Sequence, residues 1–428
     1  MRLLKWLYPG LKVKRWLLLA VLGAGLIMFG LGLLWGGQLL SFAEQQLHIY
    51  LASWAGATAR PMIALFLVSG GLFLLVVAVK SVVQSVLEIL TPEQEDGLID
   101  VLFERRLLKS GPRLVAIGGG TGLSALLRGL KHYTSNITAI VTVSDDGGSS
   151  GRLRGEMGIL PPGDIRNCVL ALADTEPLLE SLFQYRFKEG ELEGHSFGNL
   201  LIAAMTSITG DFQLAIKEFS KVLAVRGRVL PVTTADVRLR AELEDGTVVE
   251  GETNVSLCGG KVKTLSLIPG DAQPLPEVLK AIAEADAILL GPGSLYTSVI
   301  PNLLVSGVSE ALVASKALII YTCNVMTQPG ETEGYTVSQH VLAIERFSVA
   351  RLIDYVVVNS AKVHPELLSR YATTLSVPVV LDSPRLHHLG VRIATGDLLQ
   401  QGDVVRHDPD KLARRVMRLI VKRKWSAD

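Results

Sequence analysis

The pattern of apolar and polar positions divides the chain into two unequal parts. Trp16 to Trp35 makes 20 consecutive positions without a charge, enough to cross a hydrocarbon core at roughly 1.5 Å per residue. Met62 to Val79 is a second uncharged run, and together they predict two transmembrane helices over 16–35 and 62–83. Arg2, Lys5, Lys12, Lys14 and Arg15 resemble the charged start of a secretory signal. The apolar run behind them is too long for an ordinary signal core, however, and a second span follows. The same basic residues set the orientation. The connecting segment holds only Arg60, so both termini are expected in the cytoplasm of a multi-pass cell-membrane protein. Between the spans, Leu40, Leu47, Tyr50, Leu51 and Trp54 recur at helical spacing and fit either a surface-lying segment or an ordinary loop. Gly32 and Gly36 form one GxxxG that would let the two helices approach closely.

After a polar connector over 91–110, the pattern changes to short apolar runs alternating with amphipathic helical stretches. This is the signature of an α/β fold, a doubly wound and mostly parallel sheet covered by helices. Strands are predicted at Arg113–Ile117, Ile137–Val143, Ala287–Leu290, Ala317–Thr322, Tyr355–Val358 and Val377–Leu381. Helices are predicted at Gly122–Lys131, Asp164–Ala173, Leu200–Ile208, Phe212–Leu223, Pro276–Ala285, Thr336–Ile344 and Asp410–Val421. Within a β insertion over 228–268, Val237 to Leu243 alternates strictly, Glu244-Asp245-Gly246 turns, and Thr247-Val248-Val249 resumes. That reads as a hairpin with one solvated face.

Charge sharpens this division. The 428 residues carry a net charge of +1 and are only 19% charged, with 49% hydrophobic residues, and the mean hydropathy is +0.37. The first 90 residues hold 7 basic and 2 acidic side chains, and the other 338 hold 35 and 39. The excess apolarity therefore belongs to the membrane hairpin, and the remainder has an ordinary globular composition. Near-neutral charge argues against a general nucleic-acid partner. Cys168, Cys258 and Cys323 are far apart, with no CxxC, so neither a disulfide framework nor a zinc site is expected.

Candidate chemistry gathers at strand ends. The first strand runs into Gly118-Gly119-Gly120-Thr121-Gly122 and then into a helix carrying Ser124. Glycines at such a turn let backbone N–H groups approach a phosphate at the positive end of a helix. No Lys-Ser/Thr follows, which excludes a Walker A loop, and Leu123 occupies the last position of a GxGxxG register, which weakens a dinucleotide-dependent oxidoreductase. The second strand ends at Asp145 and Asp146, adjacent carboxylates able to hold a sugar or to bind Mg²⁺ through phosphates, or simply to form a solvated turn. Arg152, Arg154 and Arg166 follow, as diphosphate partners or solvated cations. Further glycine-rich loops hold His195 and Asn199, then Gly291, Gly293 and Ser294, then Asn324 and Gln328. His195 is a weak candidate base, because no carboxylate partner can be placed beside it. Five such strand ends converging on one cleft define the candidate site.

Taken together, Gly118–Ser124, Ser144–Arg154, Pro161-Pro162-Gly163-Asp164, Gly194–Asn199, Gly291–Ser298 and Met326–Thr332 resemble the bacterial YvcK family, the gluconeogenesis factors of the larger CofD-like superfamily. The resemblance covers Pro112 to the carboxyl terminus, and the membrane hairpin departs from the shorter members. It implies a Rossmann-like protein that binds UDP-N-acetylglucosamine and regulates carbon flow into peptidoglycan precursors, and so cell shape, during gluconeogenic growth. It implies the diphosphate at Gly118–Gly122, sugar or metal at Asp145, Asp146 and Asn199, and the uridine near Tyr371 and Arg406. No cofactor is required on this reading, with Mg²⁺ as an optional ion. An enzyme of hexosamine synthesis and a second copy of the chain are the expected protein partners. The CofD branch implies the alternative, a Mg²⁺-dependent transferase acting on a nucleoside diphosphate donor, with Asp145 and Asp146 as catalytic candidates.

Overall fold

The structure, a computed structural model, describes residues 14–34, 59–90, 106–174, 177–372 and 375–425. The chain divides into two units, Met1–Arg105 and Arg106–Asp428. In the first, helices Lys14–Leu34 and Ala59–Leu90 pack along one another. Arg15–Gly32 and Pro61–Val82 are long and apolar enough to cross a membrane, judged by length and composition. The two helix backbones approach closely at Gly23, Gly30 and Gly71, where an added Cβ would stand 2.8, 2.9 and 2.6 Å from a carbonyl oxygen of the facing helix; of the expected GxxxG, Gly36 lies outside the described residues. The proposed surface segment over 40–54 and the connector up to residue 105 also lie outside them.

The second unit is built on a sheet of seven strands, all parallel. In chain order its first members are β1 (Leu114–Gly118), β2 (Ile137–Val141) and β3 (Arg228–Pro231). A smaller antiparallel sheet follows, formed by β4 (Arg238–Leu243), β5 (Val248–Glu250) and β6 (Val262–Ile268). The large sheet resumes with β7 (Ala287–Leu290), β8 (Leu318–Thr322), β9 (Tyr355–Asn359) and β10 (Arg392–Gly396). Its strand order is β10-β9-β8-β7-β1-β2-β3. Every residue of β1, β2, β7 and β8 is buried, because helices cover both faces, which is why these strands read as unbroken apolar runs. β4 instead alternates exposed Arg238 and Arg240 with buried Leu239 and Ala241.

Three expectations change. Arg228–Pro231, placed in the β insertion, pairs with β2 as the edge of the large sheet. Val377–Leu381 is not a strand of that sheet. Pro378 has no N–H to donate to a ladder, and the segment instead straps the rim loops, with Thr327 N–H donating to the Val377 carbonyl at 2.7 Å and Val379 N–H to the Val325 carbonyl at 3.0 Å. The remaining strand is Arg392–Gly396, an edge strand with mixed exposure.

The C-terminal helix Pro409–Trp425 lies against helix Gly120–Leu130. Their contact is set by Gly129, where an added Cβ would stand 2.1 Å from the Pro409 carbonyl oxygen and 2.7 Å from the Ala413 Cβ. Glycine in an open helix is worse than alanine by up to about 1 kcal/mol, so Gly129→Ala would ordinarily stabilise. Here the sign reverses, and the substitution is expected to destabilise the 106–428 unit by about 1–3 kcal/mol through forced separation of the helices. Urea unfolding of the variant checks this.

Candidate functional site

From β1 the chain winds first toward β2 and β3, then returns to place β7 on the other side of β1. Loops leaving the carboxyl ends of β1 and β7 therefore diverge and open a crevice, the position at which doubly wound sheets bind ligands. A cleft of about 760 Å³ lies there, within the usual range for small-molecule sites of about 300–1,000 Å³. Gly119, Gly120, Thr121 and Gly122 line it from β1, and Gly293 and Ser294 from β7. Gly120 has φ +64°, a left-handed conformation that turns the backbone from strand into helix. Gly122 abuts the Pro292 carbonyl, which an added Cβ would meet at 2.5 Å. The two turns thus pack backbone to backbone, and the helix Gly120–Leu130 presents its amino end, and the positive end of its dipole, to the cleft.

Asn324, beyond β8, clamps the second turn. Its side-chain oxygen accepts from the Gly293 N–H at 3.2 Å, and its amide donates to the Gly293 carbonyl at 2.8 Å and to Gln328 Oε1 at 3.3 Å. Gln328 in turn donates to Ser294 Oγ at 2.7 Å. The far wall comes from the C-terminal region: Tyr371, Ser376, Val405, Arg406 and His407 line the same cleft. The Tyr371 hydroxyl accepts from the Val405 N–H at 3.1 Å, tying helix Pro365–Ala372 to the loop that carries Arg406. His407 is buried and its imidazole is pushed down to about 4, so it is neutral at physiological pH.

Three carboxylates meet on the β2 side of the cleft. Asp145 follows β2 and accepts from the Gly147 N–H at 2.9 Å. Asp164 stands in the first turn of helix Gly163–Leu172, and Glu252 opens helix Glu252–Leu257 and accepts from Ser144 Oγ at 3.2 Å. All three line the cleft. Burial, then the Asp145 charge, pushes Asp164 up to about 7, against the Gly120 N–H and Arg166, which favour its anion. Burial likewise raises Asp145, and burial with the charges of Asp164 and Asp145 holds Glu252 well above the ordinary carboxylate range. Arg166 is itself buried and pushed down to about 10, chiefly by burial and then by Arg186.

Several residues singled out from the sequence do not line the cleft but support it. Gly118 ends β1, and its carbonyl accepts from the Thr142 N–H at 3.0 Å and from Asn302. Ser124 donates to the Thr121 carbonyl at 2.9 Å, within the turn of the helix. Gly291 has φ +68° and donates its N–H to the Ile117 carbonyl. Asp146 points to Thr253, accepting from its N–H at 2.9 Å and its Oγ1 at 2.7 Å; it anchors the helix that carries Glu252. Asn199 lies in a buried network behind the wall, accepting from Arg166 at 2.7 Å and donating to Ser149 at 3.1 Å. His195 belongs to the same network through Ser149 Oγ, 3.1 Å from its Nδ1. Arg154 bonds the Val237 carbonyl and Asp236, and Arg152 the Glu193 carbonyl. Asp164 and Glu252 line the cleft in addition to the residues expected from the sequence. Asp164 was visible within Pro161-Pro162-Gly163-Asp164, whereas Glu252 sits in the insertion with no local signal.

A protein-family model described as 2-phospho-L-lactate transferase CofD matches residues 114–399. A relative from Nostoc sp. is 51% identical over 418 residues, 97% of this chain and 92% of its own length. The gluconeogenesis factor of Bacillus subtilis is 51% identical over 311 residues, 72% of this chain and 98% of that protein. Among solved structures, a UPF0052 family member from Bacillus halodurans is similar with a TM-score of 0.70 at 50% identity, covering 72% of this chain and 99% of that one.

The raised pKa of Asp164 has a consequence for stability. Its ordinary value is 3.8 and its folded value about 7, so between these the folded chain keeps a proton that the unfolded chain has released. Stability is then lost as pH rises through this window and retained below it. Asp164→Asn imitates the protonated form. The melting temperature of the variant minus that of the wild type should grow from about pH 4 to about pH 7 and level off above that, and a difference that stays constant across this window refutes the raised pKa.

Proposed function

The chain belongs to the CofD family and, within it, to the gluconeogenesis factors, and from that membership we propose that its cleft binds a UDP-sugar, UDP-N-acetylglucosamine in particular. The observation that carries this reading is the meeting, across one cleft, of the first glycine turn with Tyr371 and Arg406, residues about 250 and about 285 positions away in sequence. The turn at a helix amino end suits a diphosphate. A tyrosine ring and a guanidinium on the opposite wall suit a nucleobase and the phosphate next to it. Partial protonation of Asp164 near neutrality eases the repulsion that the carboxylates would exert on a diphosphate.

Binding without turnover fits the cleft best. His407 with a pKa of about 4 is a poor proton acceptor at neutral pH. Ser294 Oγ is held by Gln328, and no base contacts it among the described residues. On this reading the protein senses nucleotide-sugar supply and adjusts carbon flow into peptidoglycan precursors, and so cell shape, through an enzyme of hexosamine synthesis. It does so from the cell membrane, with the large unit in the cytoplasm.

The acidic trio favours a second reading, transfer from a nucleoside diphosphate donor with Mg²⁺. Among the described residues no three His, Cys, Asp or Glu side chains form a metal-holding group. Asp145 and Asp164 would therefore hold Mg²⁺ only together with phosphate oxygens, an arrangement this ion accepts. Absence of product from a panel of nucleoside diphosphate donors, with binding intact, discards this reading.

Calorimetric titration of the 106–428 unit is expected to show saturable binding of UDP-N-acetylglucosamine and weaker binding of GDP- and adenine-linked sugars. No heat and no thermal shift at millimolar ligand would sink the proposal. Gly120→Asp should abolish binding by setting a carboxylate against the phosphates. Aspartate tolerates the left-handed conformation better than most residues, so the fold is expected to persist. Unchanged affinity would remove the turn from the site.

A further inference from the structure

We propose that the edge of the large sheet opposite the cleft, led by the basic face of helix Pro409–Trp425, rests on an anionic lipid surface. The helix carries seven basic side chains and one acidic one, in a unit that is otherwise net acidic. Leu412, Ala413, Val416, Met417 and Ile420 are buried, which turns Arg414, Arg418 and Lys422, spaced one per turn, to the outside. Between them, Val421 is 48% exposed and Tyr133 beside them 37%. These five residues and Met417 line one shallow recess of about 640 Å³. Cations interleaved with aliphatic and aromatic groups are the composition of a face that lies at a lipid headgroup boundary.

Cations in the last turn of a helix are explained by its dipole, but that effect falls off within one turn. Arg414 and Arg418 lie farther back and form no ion pair among the described residues. Of the acidic groups near this edge, Asp286 is engaged by Arg113, Asp354 by Arg392 and the Ile319 N–H, and Asp174 by Arg226; Asp410, one turn before Arg414, is the one carboxylate on the helix itself. Arg423 places the end of the helix at this edge by donating to the Lys316 carbonyl, two residues before β8.

The second, independent observation is where the chain enters this unit. Arg106, Leu107 and Lys109 are exposed, Leu107 at 60%. The Leu108 carbonyl accepts from the Ser135 N–H at 2.9 Å, which sets the entry beside Tyr133. The basic face and the entry thus share one edge. The choice of lipid over another polyanion rests on the reading that the two N-terminal helices span a bilayer. A covalent link of that kind keeps the lipid surface at high effective concentration, so a modest intrinsic affinity is sufficient.

The test uses residues 106–428 alone, so that its outcome does not depend on the spans. This part folds by itself in the Bacillus halodurans relative, whose chain is covered to 99% by 72% of this one, close to the share that the second unit makes up. Sedimentation is measured with neutral phosphatidylcholine vesicles and with vesicles about one-third phosphatidylglycerol. Binding is expected only to the anionic vesicles, to disappear at high salt, and to fall about a hundredfold in Arg414→Glu/Arg418→Glu/Lys422→Glu. A single Arg418→Gln, whose side chain is exposed, should fall severalfold and keeps the test open if the triple variant is misfolded. Equal binding to both vesicle types, no effect of either variant, or preference for a single-stranded RNA oligonucleotide over the vesicles would overturn the proposal.

Discussion

The rest of the site depends on the contact between two backbone turns at the point where the strand order reverses. Because β1 is flanked by β2 on one side and β7 on the other, the loops that leave β1 and β7 begin side by side. They can approach only if neither carries a side chain at the contact, and Gly122 against the Pro292 carbonyl meets that demand. Each turn is then fixed by a different part of the chain. Asp164 takes the Gly120 N–H, Asn302 and Thr142 take the Gly118 carbonyl, and Asn324 takes both polar groups of Gly293. A loop whose backbone groups are held from outside is preorganised, and little ordering is left for a ligand to impose.

This anchoring explains why the cleft contains so much negative charge beside a turn suited to anions. Asp164 is needed as an acceptor for the turn, and Asp145 from the loop after β2 and Glu252 from the helix after β5 crowd it. Burial of like charges is relieved by protonation rather than by ion pairing, since Arg166, the cation whose charge acts on Asp164, is committed to Ser196, Asn199 and Asn167. The cost of gathering these groups is lowered by keeping at least one of them neutral near physiological pH.

How much of this was legible in the sequence follows from how local each feature is. The buried parallel strands and both glycine turns could be read directly, because burial on two faces and a tight strand-to-helix turn each leave a contiguous signature. Arg228–Pro231 and Arg392–Gly396 could not. Edge strands are short, half-exposed and mixed in character, so their pairing depends on a neighbour that the local pattern does not name. Val377–Leu381 looked like a strand because it is apolar and β-branched, yet it is used as a strap across the cleft rim. Tyr371 and Arg406 were placed by resemblance, since no spacing connects them to Gly118–Gly122. Asp146 and Asn199 have residue types suited to a ligand, and the structure spends them on Thr253 and Arg166. Asp164 and Glu252 gain their character only from facing one another across the fold.

An all-parallel sheet also imposes a polarity that reaches beyond the site. Every loop that follows a strand emerges at one edge, and everything that precedes a strand enters at the other. Residues 106–113 therefore reach β1 at the edge away from the cleft. Basic groups accumulate at that edge, in Arg106, Lys109 and the C-terminal helix, while carboxylates accumulate around the cleft. This separation of the entry from the cleft is a property of the 106–428 unit by itself. It requires no special device, because it follows from strand direction alone.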